Sequence, residues 1–195
     1  MTPIKSVAVY CSSSSTVPEF YKNAAKELGE TLAKNKIELV YGGSNQGLMG
    51  ITARTVLENE GKVYGVIPRF LDAKEGSYDG LTELHYVDSM HIRKNMMFDR
   101  ADAFIILPGG LGTMDETFEL LTWKQIGLHK KNIIILDIEK YWSPIFIDFF
   151  DRMIEQNFVR PEDLNLFTLV ERVADLTPFF TADATNHSDY VSKWG

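Results

Sequence analysis

The chain lacks the means for an internal disulfide or a cysteine-built metal site, because its 195 residues include a single cysteine, Cys11. An excess of basic charge is missing too. Lys and Arg number 20 against 27 Asp and Glu, a formal net charge of −7. With no cationic surplus to displace counterions, nucleic acid is not expected as a partner. A small anionic ligand is still open, since it needs only a local site. No apolar run approaches the ~20 residues of a membrane span, so no membrane partner is expected. The stretch from Ile4 to Tyr10 is too short and too interrupted for a secretory h-region. The four histidines show no metal-ligand spacing, and no metal site is expected. These absences read as a soluble, cytoplasmic protein. What is present is a 45% hydrophobic and 24% charged composition, enough for one ordinary core and against wholesale disorder.

Short apolar runs alternate with longer helical patterns. The runs are Ser6–Tyr10, Ile37–Tyr41, Val63–Ile67, Leu84–Val87, Ala103–Leu107 and Ile133–Leu136. They are β-branched or aromatic, and the last two are continuous rather than alternating, as strands buried on both faces are. Helices are predicted over Pro18–Lys36, Leu48–Glu60 (with Gly61 as C-terminal cap), Ser89–Arg100, Thr113–Ile126 and Ser143–Asn157. Such alternation predicts a single α/β domain over residues 1–180, a Rossmann-like doubly wound parallel sheet with right-handed crossovers. Pro68–Gly80 reads as a polar connection and a candidate active-site loop. Residues 181–195 are polar and aperiodic and read as a C-terminal tail.

In a doubly wound sheet, ligands sit at the carboxyl ends of the strands. Three of those ends lead into small-residue loops. Cys11 is followed by Ser12–Ser15, the second strand by Gly42-Gly43-Ser44-Asn45-Gln46-Gly47-Leu48-Met49-Gly50, and the fifth by Pro108-Gly109-Gly110-Leu111-Gly112-Thr113. Each is either a tight turn or part of an anion site made of backbone N–H groups at a helix N-terminus. Three at one sheet edge favour phosphate. The second loop has no Lys-Ser/Thr ending, and the strand after it lacks the acidic residue of a dinucleotide fold, which argues against an ATPase and a nicotinamide enzyme.

Thr113 can cap the next helix, with Asp115 and Glu116 in its first turn. Glu116 is then either a complement to the helix dipole or a carboxylate held about 5 Å along the axis from a bound phosphate. The second arrangement suits glycosidic cleavage at C1′ of a ribose 5-phosphate. The basic pair Arg93 and Lys94 is either a solvated helix face, the usual case, or, given Met90, Met96 and Met97 around it, partly enclosed. His91 is more readily structural than a ligand.

Taken together, Pro108-Gly109-Gly110-Leu111-Gly112-Thr113-Met114-Asp115-Glu116, the preceding Met90-His91-Ile92-Arg93-Lys94 and the Gly42–Gly50 element resemble the LOG family of cytokinin riboside 5′-monophosphate phosphoribohydrolases. Many members once carried the label "lysine decarboxylase". The resemblance spans roughly residues 4–180 and includes the Thr122–Gly127 segment. It implies hydrolysis of the N-glycosidic bond of an N6-substituted adenosine monophosphate, or of AMP, to free base and ribose 5-phosphate. Arg93 and Glu116 are implied as the catalytic pair. Gly109, Gly110, Leu111, Gly112 and Thr113 are implied to bind the phosphate, with Lys94 and Glu75 contacting substrate. A homodimer is implied as well. Ser12 stands where the family commonly has glycine. The alternative is a non-catalytic nucleotide carrier of the same fold, which would not need Glu116. No cofactor is expected, because an oxocarbenium route needs neither metal nor flavin, and no lysine has the setting of a pyridoxal Schiff base.

Overall fold

The computed structural model describes residues 4–180, and the tail expected over residues 181–195 lies outside them. Seven strands form one parallel sheet: β1 (Ser6–Tyr10), β2 (Glu38–Tyr41), β3 (Val63–Pro68), β4 (Glu83–Val87), β5 (Ala103–Ile106), β6 (Asn132–Leu136) and β7 (Thr168–Val170). Their spatial order is β4-β3-β2-β1-β5-β6-β7. The six runs read from sequence all become strands. β7 adds a seventh, and at three residues it is too short to show a period.

Strand alternation divides the core between the two faces. Val7 and Val9 of β1 pack on one side with α1 (Glu19–Lys34) and α2 (Gly47–Glu58). Ala8 and Tyr10 pack on the other, with α4 (Met90–Arg100) and α5 (Leu111–Gln125). β5 is buried along its whole length, as its unbroken apolar run requires. Each fully buried Ile or Leu of this kind stabilises by about 1.5–3 kcal/mol.

Three local expectations are corrected. The polar connection Pro68–Gly80 contains a short helix, α3 (Arg69–Glu75), which has no buried residue and so shows no apolar period. The helix expected over Ser143–Asn157 is split: wide π-type turns at Pro144–Phe149 precede α6 (Phe150–Glu155). The left-handed residue that ends α2 is Glu60 (φ 60°), not Gly61. Among the described residues no helix is long and apolar enough to cross a membrane.

β1 has β2 on one side and β5 on the other, so the order of winding reverses between β1 and β5. A crevice opens at the carboxyl ends of strands on either side of such a point. Tyr10 is level with Ile106, and the Ser12 amide donates to the Pro108 carbonyl at 3.2 Å, so the loops after β1 and β5 leave the sheet side by side. The Leu48 amide donates to the Ser12 carbonyl at 3.0 Å, which brings in the third loop. All three small-residue loops therefore meet at one edge, as the sequence pattern required.

Candidate active site

The cleft at this edge has a volume of about 380 Å³, within the ordinary range for a small-molecule site. Its floor is the end of β1 with Ser12–Ser14. Gly110–Thr113 form one wall, Met90 and Arg93 another, and Leu71 and Glu75 of α3 the rim. A larger hollow of about 740 Å³ lies at the opposite edge of the sheet. Polar groups there serve each other: Arg100 makes a two-pronged contact with Glu38, and Asp102 accepts from the Lys5 and Ser6 amides.

Arg93 reaches the cleft from α4. Ser89 caps that helix by accepting the Ile92 amide, and Met90, Arg93 and Met97 follow at i, i+3 and i+7 on its inner face. The guanidinium has room because residue 42 is glycine: a Cβ there would stand 1.9 Å from the nearer Arg93 Nη. Glu116 projects from α5. The two side chains are each 9% exposed, with Nη2 and Oε1 3.7 Å apart. That is ion-pair range but too long for a hydrogen bond. Among the described residues Arg93 Nε is buried with no hydrogen-bond partner, and Nη1 meets only the Met90 sulfur at 4.0 Å. A buried donor left without an acceptor is costly.

Burial lifts the Glu116 carboxyl to about 7, while Arg93 pulls it down and Asp115 pushes it further up. Burial and the Glu116 charge also raise the Cys11 thiol, which leaves it protonated and a poor nucleophile. The Glu116 shift has a consequence for stability. The unfolded chain releases this proton near the ordinary carboxylate value and the folded chain only near 7. Stability from the neutral carboxyl is therefore complete below the unfolded value and is lost as pH rises through 7. Glu116→Gln removes the titration. Relative to wild type it is expected to gain stability between pH 5 and pH 8, by on the order of 3 kcal/mol for a shift from 4.5 to about 7. Urea unfolding at the two pH values checks this, and an equal difference at both would contradict it.

The glycine-rich wall departs from expectation in one respect. Thr113 is not the cap. α5 begins at Leu111 with Gly110 as its N-cap, no side chain caps it, and its first turn carries no acid. Thr113 is instead buried beneath the loop, where a Cβ at residue 109 would stand 2.1 Å from its Oγ1. Glu116 sits in the second turn, and its side chain can still reach the cleft because helical side chains lean towards the N-terminus. The first amides of α5 have no side-chain cap, and open space lies beside Gly110 and Gly112, the physical setting an anion at a helix terminus requires.

Lys94 does not join the cleft. Its amine bridges Asp115 at 3.2 Å and Glu119 at 3.0 Å, away from the residues that line the cleft. Glu75 lines the rim at the end of α3. His91 is exposed, and among the described residues no group of His, Cys, Asp or Glu is placed to hold a metal. Gln125 of the Thr122–Gly127 stretch donates to buried Asp163 at 3.0 Å, a structural anchor. Leu71, Met49 and Met90 also line the cleft, and the sequence did not assign them to it. An apolar side chain at a cleft has no sequence signature distinct from a core one.

A family model described as "Possible lysine decarboxylase" matches residues 49–179. The chain is 42% identical over 158 residues to a cytokinin riboside 5′-monophosphate phosphoribohydrolase of Rhodococcoides fascians, covering 80% of this chain and 79% of that protein. It is 38% identical over 189 residues to one of Arabidopsis thaliana, covering 97% and 88%. Among solved structures it is similar to a molybdenum cofactor binding protein of Rippkaea orientalis, with a TM-score of 0.66, 19% identity and coverage of 92% and 95%. It is also similar to the molybdenum cofactor carrier protein of Chlamydomonas reinhardtii, with a TM-score of 0.64, 18% identity and coverage of 89% and 92%. At such identities the structural likeness is one of fold.

Proposed function

From the premise that the chain belongs to the LOG family of phosphoribohydrolases, we propose that it hydrolyses the N-glycosidic bond of adenosine 5′-monophosphates, N6-substituted or plain. The observation that carries the reading is the buried Arg93–Glu116 pair, 3.7 Å apart beside an uncapped glycine-rich helix N-terminus. The 5′-phosphate sits on the amides of the Gly109–Thr113 loop. Glu116, as carboxylate, stabilises positive charge growing at C1′ and aligns the attacking water. Water oxygen bonds to C1′ as the bond to the purine nitrogen breaks, and the proton the water loses passes by way of Glu116 to the departing base. Arg93 orients the nucleotide and stabilises charge on the departing base. Glu75 contacts the substrate from the rim. The active form in this reading is a homodimer. A carrier function has only the fold behind it and leaves a strongly perturbed, buried Glu116 without a task.

The test is incubation with AMP, isopentenyladenosine monophosphate and adenosine side by side, with assay of the free bases. Both monophosphates are expected to release base. Adenosine should be poorer in kcat/KM by a factor on the order of 10² or more, since charge-assisted phosphate contacts are lost. Equal turnover of adenosine and AMP would overturn the phosphate site.

A further inference from the structure

We propose that Tyr141 is a positioning residue for the phosphate loop, acting through the peptide that joins Gly109 to Gly110; the proposal rests on the phosphate site just described. The Tyr141 hydroxyl donates to the Gly109 carbonyl at 2.7 Å. Among the described residues no peptide bond is cis. In a trans peptide the carbonyl and the next N–H point in opposite directions. Pinning the Gly109 carbonyl on Tyr141 therefore turns the Gly110 N–H the other way. Gly110 lines the cleft and Tyr141 does not, so this amide joins the uncapped amides of α5 as an anion donor. Glycines on both sides of the peptide would otherwise let it flip at little steric cost.

The segment that delivers Tyr141 is built for the purpose. After β6 the chain runs through two consecutive non-glycine residues in the left-handed region, Glu139 (φ 54°) and Lys140 (φ 58°). Such conformations cost energy and persist where the surroundings over-determine them. Here Asp137 supplies the restraint. It is buried, accepts the Trp142 amide at 2.6 Å and the Ser143 amide at 3.1 Å, and also takes the Ser143 hydroxyl. Lys140 is paired with Glu171. The Tyr141 ring is held edge-on by Tyr21 at 5.6 Å and by Trp142 at 4.8 Å between centroids. Ring packing and hydroxyl bonding are thus separable functions of one side chain.

Tyr141→Phe keeps the ring and removes the hydroxyl. Calorimetric titration with ribose 5-phosphate is expected to show affinity weakened about 3–10-fold, the range for a lost neutral hydrogen bond. KM for a nucleoside monophosphate should rise by a similar factor while kcat stays within about twofold. Tyr141→Leu, which also loses ring packing, should lower the melting temperature; Tyr141→Phe should not. Wild-type affinity in Tyr141→Phe would overturn the positioning role alone. Failure of the wild-type protein to bind ribose 5-phosphate would overturn the phosphate site, and this proposal with it.

Discussion

Glu116→Gln is expected to lower kcat by about 10²–10⁴-fold with the fold retained, the usual range for lost acid–base assistance. The substitution keeps shape and removes charge. In wild type the side chain is 9% exposed and faces Arg93, so no water shell can replace the missing charge during bond cleavage. The wild-type pH profile should agree. With the carboxyl lifted to about 7, kcat/KM should climb with pH through neutrality as the carboxylate forms, and that ascending limb should vanish in Glu116→Gln. Asp115→Asn is the control. Asp115 is 62% exposed and pairs with Lys94, an arrangement worth at most about 1 kcal/mol. One position along a helix turns a side chain ~100° about the axis. Activity within about twofold of wild type is expected for this variant. If Asp115→Asn is as damaging as Glu116→Gln, the carboxylate acts only through the general field, and Glu116 has no positioned role.

Gly42→Ala is expected to approach the defect of Arg93→Ala, with kcat/KM lowered by about 10–10³-fold, although residue 42 bears no chemistry. The added methyl would lie 1.9 Å from Arg93 Nη2 and 2.8 Å from Cζ. The guanidinium is the movable end of a long side chain, so it is displaced while the strand end stays folded. Losing a charged hydrogen-bond donor in a buried site costs about 1.5–3 kcal/mol, and misplacing the leaving-group contact adds to that. The two substitutions act through one group, so their effects should not add. Gly42→Ala/Arg93→Ala should be no worse than Arg93→Ala within about threefold. Full additivity would show that Gly42 acts separately from Arg93.

The parallel sheet was legible in the sequence because buried strands impose unbroken apolar runs, as in Ala103–Leu107 and Ile133–Leu136. The convergence of the Ser12, Gly43 and Gly110 loops followed from topology, since parallel strands place every such loop at the same edge. Elements with no apolar period escaped: α3 buries nothing, and β7 is three residues long. The start of α5 was misplaced by two residues. Ser/Thr preference at an N-cap pointed to Thr113, whereas the chain uses Gly110 and leaves the amides free.

Sequence alone determined the strand order's raw material, the glycines that leave backbone amides bare, and the residue types Arg93 and Glu116. Those properties are local, set by spacing and by the steric freedom of each residue. Tertiary structure decided which charges meet. Lys94 is the immediate neighbour of Arg93, yet its amine goes to Asp115 and Glu119 while Arg93 faces Glu116. The ~100° turn between adjacent helix positions points them apart, and the packing of α4 against α5 decides which carboxylate each one meets. The same packing removes water from Glu116 and lifts its carboxyl to about 7. Tyr141, 32 residues from Gly109 in the chain, reaches the phosphate loop through a turn held by Asp137. Desolvation and contacts between distant segments are properties of the assembled core, and no local pattern encodes them.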